Sequence, residues 1–294
     1  MFFQQVVNGL TIGSMYALVA IGYTMVFGVL KLVNFSHGSV FMVGAYLTLE
    51  LSLALGGNFF LAAALSLVLA GVLGVVIDRA ALQRLRVKKA DRITALISTL
   101  GVGTILDNAV MIGFGSETKA FPNVMQLGRF TVGGAVVSWV QVIILLLALV
   151  LMAIMSAIVY RTRMGCAMRA TSQNADAARL MGISVNRVIA FTFFIGSLLA
   201  SVAGTMYGMY YEAIDPMMGS VISMKTFACV VLGGVGVLPG AMLGGLLIGV
   251  AEAVGASYIS SGYRDAIAFA ILILVLVLVL RPQGILGKKA TDKL

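Results

Sequence analysis

The chain has 294 residues, 61% of them hydrophobic and only 11% charged, with 34 glycines and a formal net charge of +9 at pH 7. Its mean hydropathy is +1.07, and several apolar runs approach or exceed the roughly 20 residues that cross a bilayer. This excludes a soluble domain and sets the expected fold class: all-α, a polytopic helical membrane protein whose single transmembrane domain covers 1–294.

Spans are predicted near 6–30, 37–55, 59–77, 93–113, 137–160, 187–210 and 264–280, with a glycine-rich segment over 220–250. The first run begins near Val6 without a basic leader and contains Asn8, Thr11 and Ser14. It therefore reads as a retained span and not as a cleaved signal peptide. Between the first two runs lies Lys31-Leu32-Val33-Asn34-Phe35-Ser36-His37-Gly38-Ser39, which contains the only histidine of the chain. Two readings stay open here. Asn34 and Ser36 cap the next helix in a cytoplasmic hairpin, or Asn34, Ser36 and His37 line or gate a polar path.

Positive charge collects in two loops and the tail. One loop carries Arg79, Arg84, Arg86, Lys88, Lys89 and Arg92, the other Arg161, Arg163, Arg169, Arg179 and Arg187, and the tail Arg281, Lys288, Lys289 and Lys293. By the positive-inside rule these face the cytoplasm, and the connections around Asn58, 114–136, 211–219 and 251–263 face outward. The N-terminus is then outside and the C-terminus inside. Parity requires that 220–250 make zero or two net crossings. Its centre, Gly233-Gly234-Val235-Gly236-Val237-Leu238-Pro239-Gly240, is a poor helix interior. The expectation is a broken or re-entrant pair with arms of about 11 to 13 residues, short for a full crossing. Its turn should lie at a helix interface or beside the transport path.

Small-xxx-small pairs occur at Gly9/Gly13, Gly204/Gly208, Gly240/Gly244 and Gly245/Gly249, and are read as intramolecular packing points. Trp139 and Tyr160 would stand about 32 Å apart along a helix, the separation of two interfacial aromatic belts.

In the loop 161–187, Ser172, Asn174 and Asp176 suit a helix start, Ala177 to Met181 are good helix formers, and Gly182 suits a left-handed cap. A short surface helix over 173–182 follows. Asp176-Ala177-Ala178, then Gly182, resembles the EAA loop of ABC-importer permeases, whose coupling helix docks on the cytoplasmic ATPase; this chain has Asp176 where that pattern usually has Glu. An ordinary capped loop helix accounts for the same residues.

Asn34-Phe35-Ser36-His37-Gly38 with Gly44-Ala45-Tyr46, the run Gly233 to Ala241, and Arg281-Pro282-Gln283-Gly284-Ile285-Leu286-Gly287 resemble the LivH-type permease subunits of branched-chain amino-acid ABC importers. With the EAA-like loop, these signatures span nearly the whole chain in matching order. The resemblance implies a heteromeric complex in a bacterial inner membrane. Its members would be this permease, a sister permease, two ATPase subunits that bind ATP and Mg, and a periplasmic binding protein that delivers leucine, isoleucine or valine. It implies that Asp176, Ala177, Ala178, Leu180, Met181 and Gly182 couple the chain to the ATPase. Related amino acids, amides or urea remain alternative cargoes.

No Gly-x-x-x-x-Gly-Lys-[Ser/Thr] run exists, so the chain has no phosphate-cradling ATP site of that kind. One His and two Cys, Cys166 and Cys229, give no metal-ligand pattern and no cofactor is expected on the chain. Cys166 is expected in the cytoplasm and Cys229 in the membrane, so no disulfide joins them. The basic residues follow from topology and anionic headgroups, not nucleic acid. The competing class is an ion-gradient-driven secondary carrier, for which Asp107, Lys225 and Glu252 are the ionisable candidates, all three expected toward the outer side.

Overall fold

The computed structural model describes residues 2–88, 90–122, 128–278 and 284–287. The chain order is α1 (Phe2–Leu30), α2 (His37–Ala54), α3 (Phe59–Ile77), α4 (Arg84–Val87), α5 (Arg92–Phe114), α6 (Trp139–Arg161), α7 (Arg163–Gln173), α8 (Ala175–Leu180), α9 (Val185–Tyr211), α10 (Met218–Gly233), α11 (Leu238–Tyr258) and α12 (Arg264–Leu278). Four short strands join them: β1 (Lys119–Ala120), β2 (Arg129–Val132), β3 (Ala135–Ser138) and β4 (Ala213–Ile214). Six helical stretches are long and apolar enough to cross a bilayer, and α10 is a shorter apolar helix. This is a polytopic helical membrane protein.

α1 lies at the centre, packed most extensively on α11 and α9, while α9 also carries α2 and α3. Close approach is what the glycines provide. A Cβ on Gly249 would collide with the Cα of Gly13, and one on Gly9 would fall 2.5 Å from the Cα of Val250, so α1 and α11 meet backbone to backbone. Gly204 sits against the Phe41 carbonyl, Gly208 against Phe121, and Gly240 and Gly244 against α10. All four expected pairs thus serve contacts within the chain.

Three expectations change in detail. First, the arms of the 220–250 pair are 16 and 21 residues long, because α10 starts at Met218 and α11 runs on to Tyr258. The turn is confined to Gly234–Val237, with Gly234 and Gly236 at positive φ and Pro239 inside the first turn of α11. It packs beside Phe27 at the end of α1, and Ile285 and Leu286 of the tail donate backbone hydrogen bonds to Leu232 and Gly233. Second, Arg79, Arg84 and Arg86 lie not in a loop but on a helical continuation of α3, through a π-helical turn Asp78–Gln83 into α4. Arg86 forks over the buried Asp78 carboxylate there and offsets its charge. Third, the connection expected over 114–136 holds strands on both sides of 123–127, which lie outside the described residues. β2 and β3 form a hairpin closed by Gly133 and Gly134, both at positive φ.

The elements sort to two ends. β1 pairs with β4, Phe59 meets Phe121 edge to face, and Gln4 holds Val136, so the start of α1 and the connections around Asn58, 114–136 and 211–219 expected outside share one end. Lys31 donates to Ser172, which puts the end of α1 beside the α7–α8 loop at the other. Trp139 and Tyr160 fall at the two ends of α6, both exposed. Lys89, Arg281, Pro282, Gln283, Lys288, Lys289, Lys293 and the last residues of the 264–280 span lie outside the described residues.

Candidate functional site

The α7–α8 loop is locally over-determined. Thr162 caps α7 by accepting from Gly165 N, and Asn174 caps α8 by accepting from Asp176 N and Ala177 N, each at 3.0 Å. α8 ends in a Schellman motif: Ile183 N donates to Ala178 O and Gly182 N to Arg179 O, with Gly182 at φ +81°. The helix is shorter than 173–182, because Asn174 separates it from α7, a helix the sequence reading took as loop. Asp176 pairs with Arg179 at 2.8 Å on the exposed face. Leu180 and Met181 are 90% and 82% exposed. Two large apolar side chains fully in water at a helix end form a ready contact for a partner. Of the two alanines expected to face a partner groove, Ala177 is exposed but Ala178 is buried against its own chain, so Ala178 seats α8 on the permease.

The segment after α1 turns back into the bundle from Lys31, which adopts a left-handed φ of 55°. Asn34 Oδ1 accepts from Ser36 N at 3.2 Å and from Ser36 Oγ at 2.7 Å, so the asparagine organises the turn. Ser36 occupies the N-cap position of α2 without a side-chain cap bond. His37 sits edge-on to Tyr23 at 4.9 Å, in a gap left by Gly22 and Gly196. Asn34, Ser36 and His37 are all buried, and the open space nearby is walled instead by their neighbours Phe35 and Ser39. Phe35 N donates to Thr99, Ser223 donates to Phe35 O, and Tyr23 OH shares a hydrogen bond with Ser223. The motif therefore knots α1, α2, α5 and α10 together.

Two polar places lie between the helices. The first is an ion cluster centred on buried Lys225 and Glu252, with Arg264 and Asp265 on its exposed side. Lys225 Nζ stands 2.9 Å from Glu252 and 2.6 Å from Asp265; Tyr16 OH donates to Glu252 at 3.0 Å, and Arg264 stands 3.5 Å from the same carboxylate. A cavity of about 290 Å³ adjoins it, with Tyr207 and Tyr211 in its wall. The sequence reading treated Lys225 and Glu252 as separate ionisable residues near the outer side; the fold buries them as a pair across the α10–α11 hairpin. Their placement on the two arms of a predicted turn was the signal that they face each other. The second place is a groove of about 510 Å³ between α2, α5 and α10, which holds Asp107.

A bundle of this kind, with an exposed capped helix on one end and polar groups inside, is that of a polytopic helical membrane protein. The chain belongs to the branched-chain amino acid transport system permease component family, which matches over residues 5–276. It is 41% identical, over 100% of this chain and 98% of the relative, to the high-affinity branched-chain amino acid transport system permease protein BraD of Pseudomonas aeruginosa. It is 40% identical to the corresponding LivH protein of Escherichia coli K12 over the same shares. The ribose import permease protein RbsC of Escherichia coli K12 is 27% identical over 80% of this chain and 73% of its own length. No solved structure matches. The chain is thus a transport-system permease and not an enzyme.

Proposed function

We propose that this chain is the permease of an ATP-driven importer in a bacterial inner membrane and carries leucine, isoleucine and valine into the cytoplasm. The ATP and Mg belong to two separate ATPase subunits, a sister permease completes the path, and a periplasmic binding protein delivers the cargo. The observation that carries the coupling part of this reading is the exposure of Leu180 and Met181 on a rigidly capped helix. Asp176, Ala177, Leu180 and Met181 face the ATPase, Ala178 anchors the helix, and Gly182 permits its sharp exit into α9. The basic loops and tail face the cytoplasm and the N-terminus faces the periplasm, with 1–294 forming one transmembrane domain whose coupling loop is 161–187.

Asn34, Ser36 and His37 act as a gate through position and not through contact with cargo: they hold the knot at which α1, α2, α5 and α10 meet, so movement there changes the groove beside Phe35. A pull-down of the detergent-solubilised chain from its native membrane is the test. Co-purification of an ATPase and a second permease, lost when Asp176 is reversed in charge and Gly182 made bulky, supports the reading. Recovery of this chain alone sinks it. His37→Ala should slow uptake while the complex still assembles, and unchanged uptake removes the gate.

A further inference from the structure

The groove between α2, α5 and α10 has an unusual balance of hydrogen-bonding groups. Asp107 lies in it, and its Oδ1 is buried with no hydrogen-bond partner among the described residues. The Ser39 hydroxyl stands between Gly103 O, at 3.3 Å, and this carboxylate, and its one proton is shared between them. Thr104, Ser220 and Ser223 also donate to backbone carbonyls, of Leu100, Met217 and Phe35. With the Thr104, Ser220 and Ser223 protons committed, the oxygens that remain toward the groove are acceptors. No basic side chain lines it among the described residues, and the rest of its wall is hydrocarbon: Phe35, Leu96, Leu100, Met224 and Phe227. A mostly hydrocarbon wall whose few polar oxygens are acceptors accommodates a cationic donor and leaves an anion unserved.

We infer that this groove is a transit site for an amino acid with an apolar side chain, in which Asp107 receives the ammonium group and the Phe35, Leu96 and Met224 wall receives the hydrocarbon. The carboxylate of the cargo finds no donor and stays toward the mouth of the groove, which favours passage over tight retention. The ion cluster at Lys225 and Glu252 is a poorer candidate, since its charges already satisfy one another. The inference rests on the reading of the chain as an amino-acid permease.

The test uses the complete transporter in proteoliposomes, with its binding protein and labelled leucine. A wild-type complex that takes up no leucine overturns the permease reading and this inference with it. Given wild-type uptake, Asp107→Asn should lower it about ten- to a hundredfold, the worth of a charge-assisted hydrogen bond. Subunit assembly should be retained, and Asp107→Glu should restore much of the rate. Thr104→Cys should react faster with a cationic than with an anionic thiol reagent, and the preference should vanish on adding Asp107→Asn. Wild-type uptake by Asp107→Asn overturns the transit site alone. Loss of assembly also overturns it, making Asp107 a subunit contact, and so do equal labelling rates.

Discussion

Lys225 and Asp107 both bring charge among apolar helices, yet their surroundings are opposite. Around Lys225, Glu252, Arg264 and Asp265 two cations meet two carboxylates, and Tyr16 adds a hydrogen bond, so α1, α10, α11 and α12 are tied at one point. Asp107 stands on α5, whose most apolar stretch is only 22% buried, beside a groove and with an oxygen unmatched. The central helix α1 is 89% buried by the same measure. Charge that is matched inside the core fixes the packing. Charge left unmatched beside open space is free to meet something that passes, and the two should respond differently to mutation.

The largest effect is expected at the cluster. Lys225→Met takes the nearest cation from buried Glu252, leaving it Tyr16 and the more distant Arg264, and should destabilise the protein by about 3 kcal/mol, while Lys225→Met with Glu252→Met should recover most of that loss. Thermal labelling of buried Cys229 in a Cys166→Ser background reports unfolding directly. If the single and double variants melt alike, the pair is not what holds the hairpin. Tyr16→Phe removes one hydrogen bond to a charged acceptor and should cost about 1.5–3 kcal/mol in the same measurement. Asp107→Asn should change stability by no more than about 0.5 kcal/mol, because no ion pair is lost and the amide oxygen still accepts from Ser39; a large shift in its melting curve would erase the contrast. The smallest effect belongs to the exposed Asp176–Arg179 pair. Asp176→Asn should cost about 0.3–0.5 kcal/mol, so any larger loss of uptake is a loss of coupling and not of folding. Gly182→Val should uncouple uptake at normal protein levels, since φ +81° strains a β-branched residue. Unchanged ATP-dependent uptake would remove the helix from the coupling path.

α2, expected as a span over 37–55, is not among the six stretches long and apolar enough to cross, and the span expected to end at 77 runs on to Val87. Most helix positions were nevertheless legible, because hydropathy and the charge of the loops act along the chain. The same holds for the broken pair at Gly234–Val237, for the cap at Asn174 and for Gly182, whose partners lie within a few residues. The burial of Ala178 was not legible, since the side of α8 that meets the permease depends on how α7 folds under it. Nor was the continuation of α3 through Asp78–Gln83, where the Arg86–Asp78 fork lets a basic stretch stay helical.

Sequence alone determined that the chain crosses a membrane many times, where it turns, which loops are basic and which family signatures it carries. Those are local or compositional properties, set by how each segment partitions between water and lipid. Tertiary structure decided which polar residues meet. Lys225 and Glu252 became a matched pair, His37 a buried wedge between Gly22 and Gly196, and Asp107 a lone carboxylate beside a groove. A charge's partner, unlike its hydropathy, depends on helices distant in sequence, and backbone contacts at Gly13 and Gly249 are what bring those helices close enough to answer it.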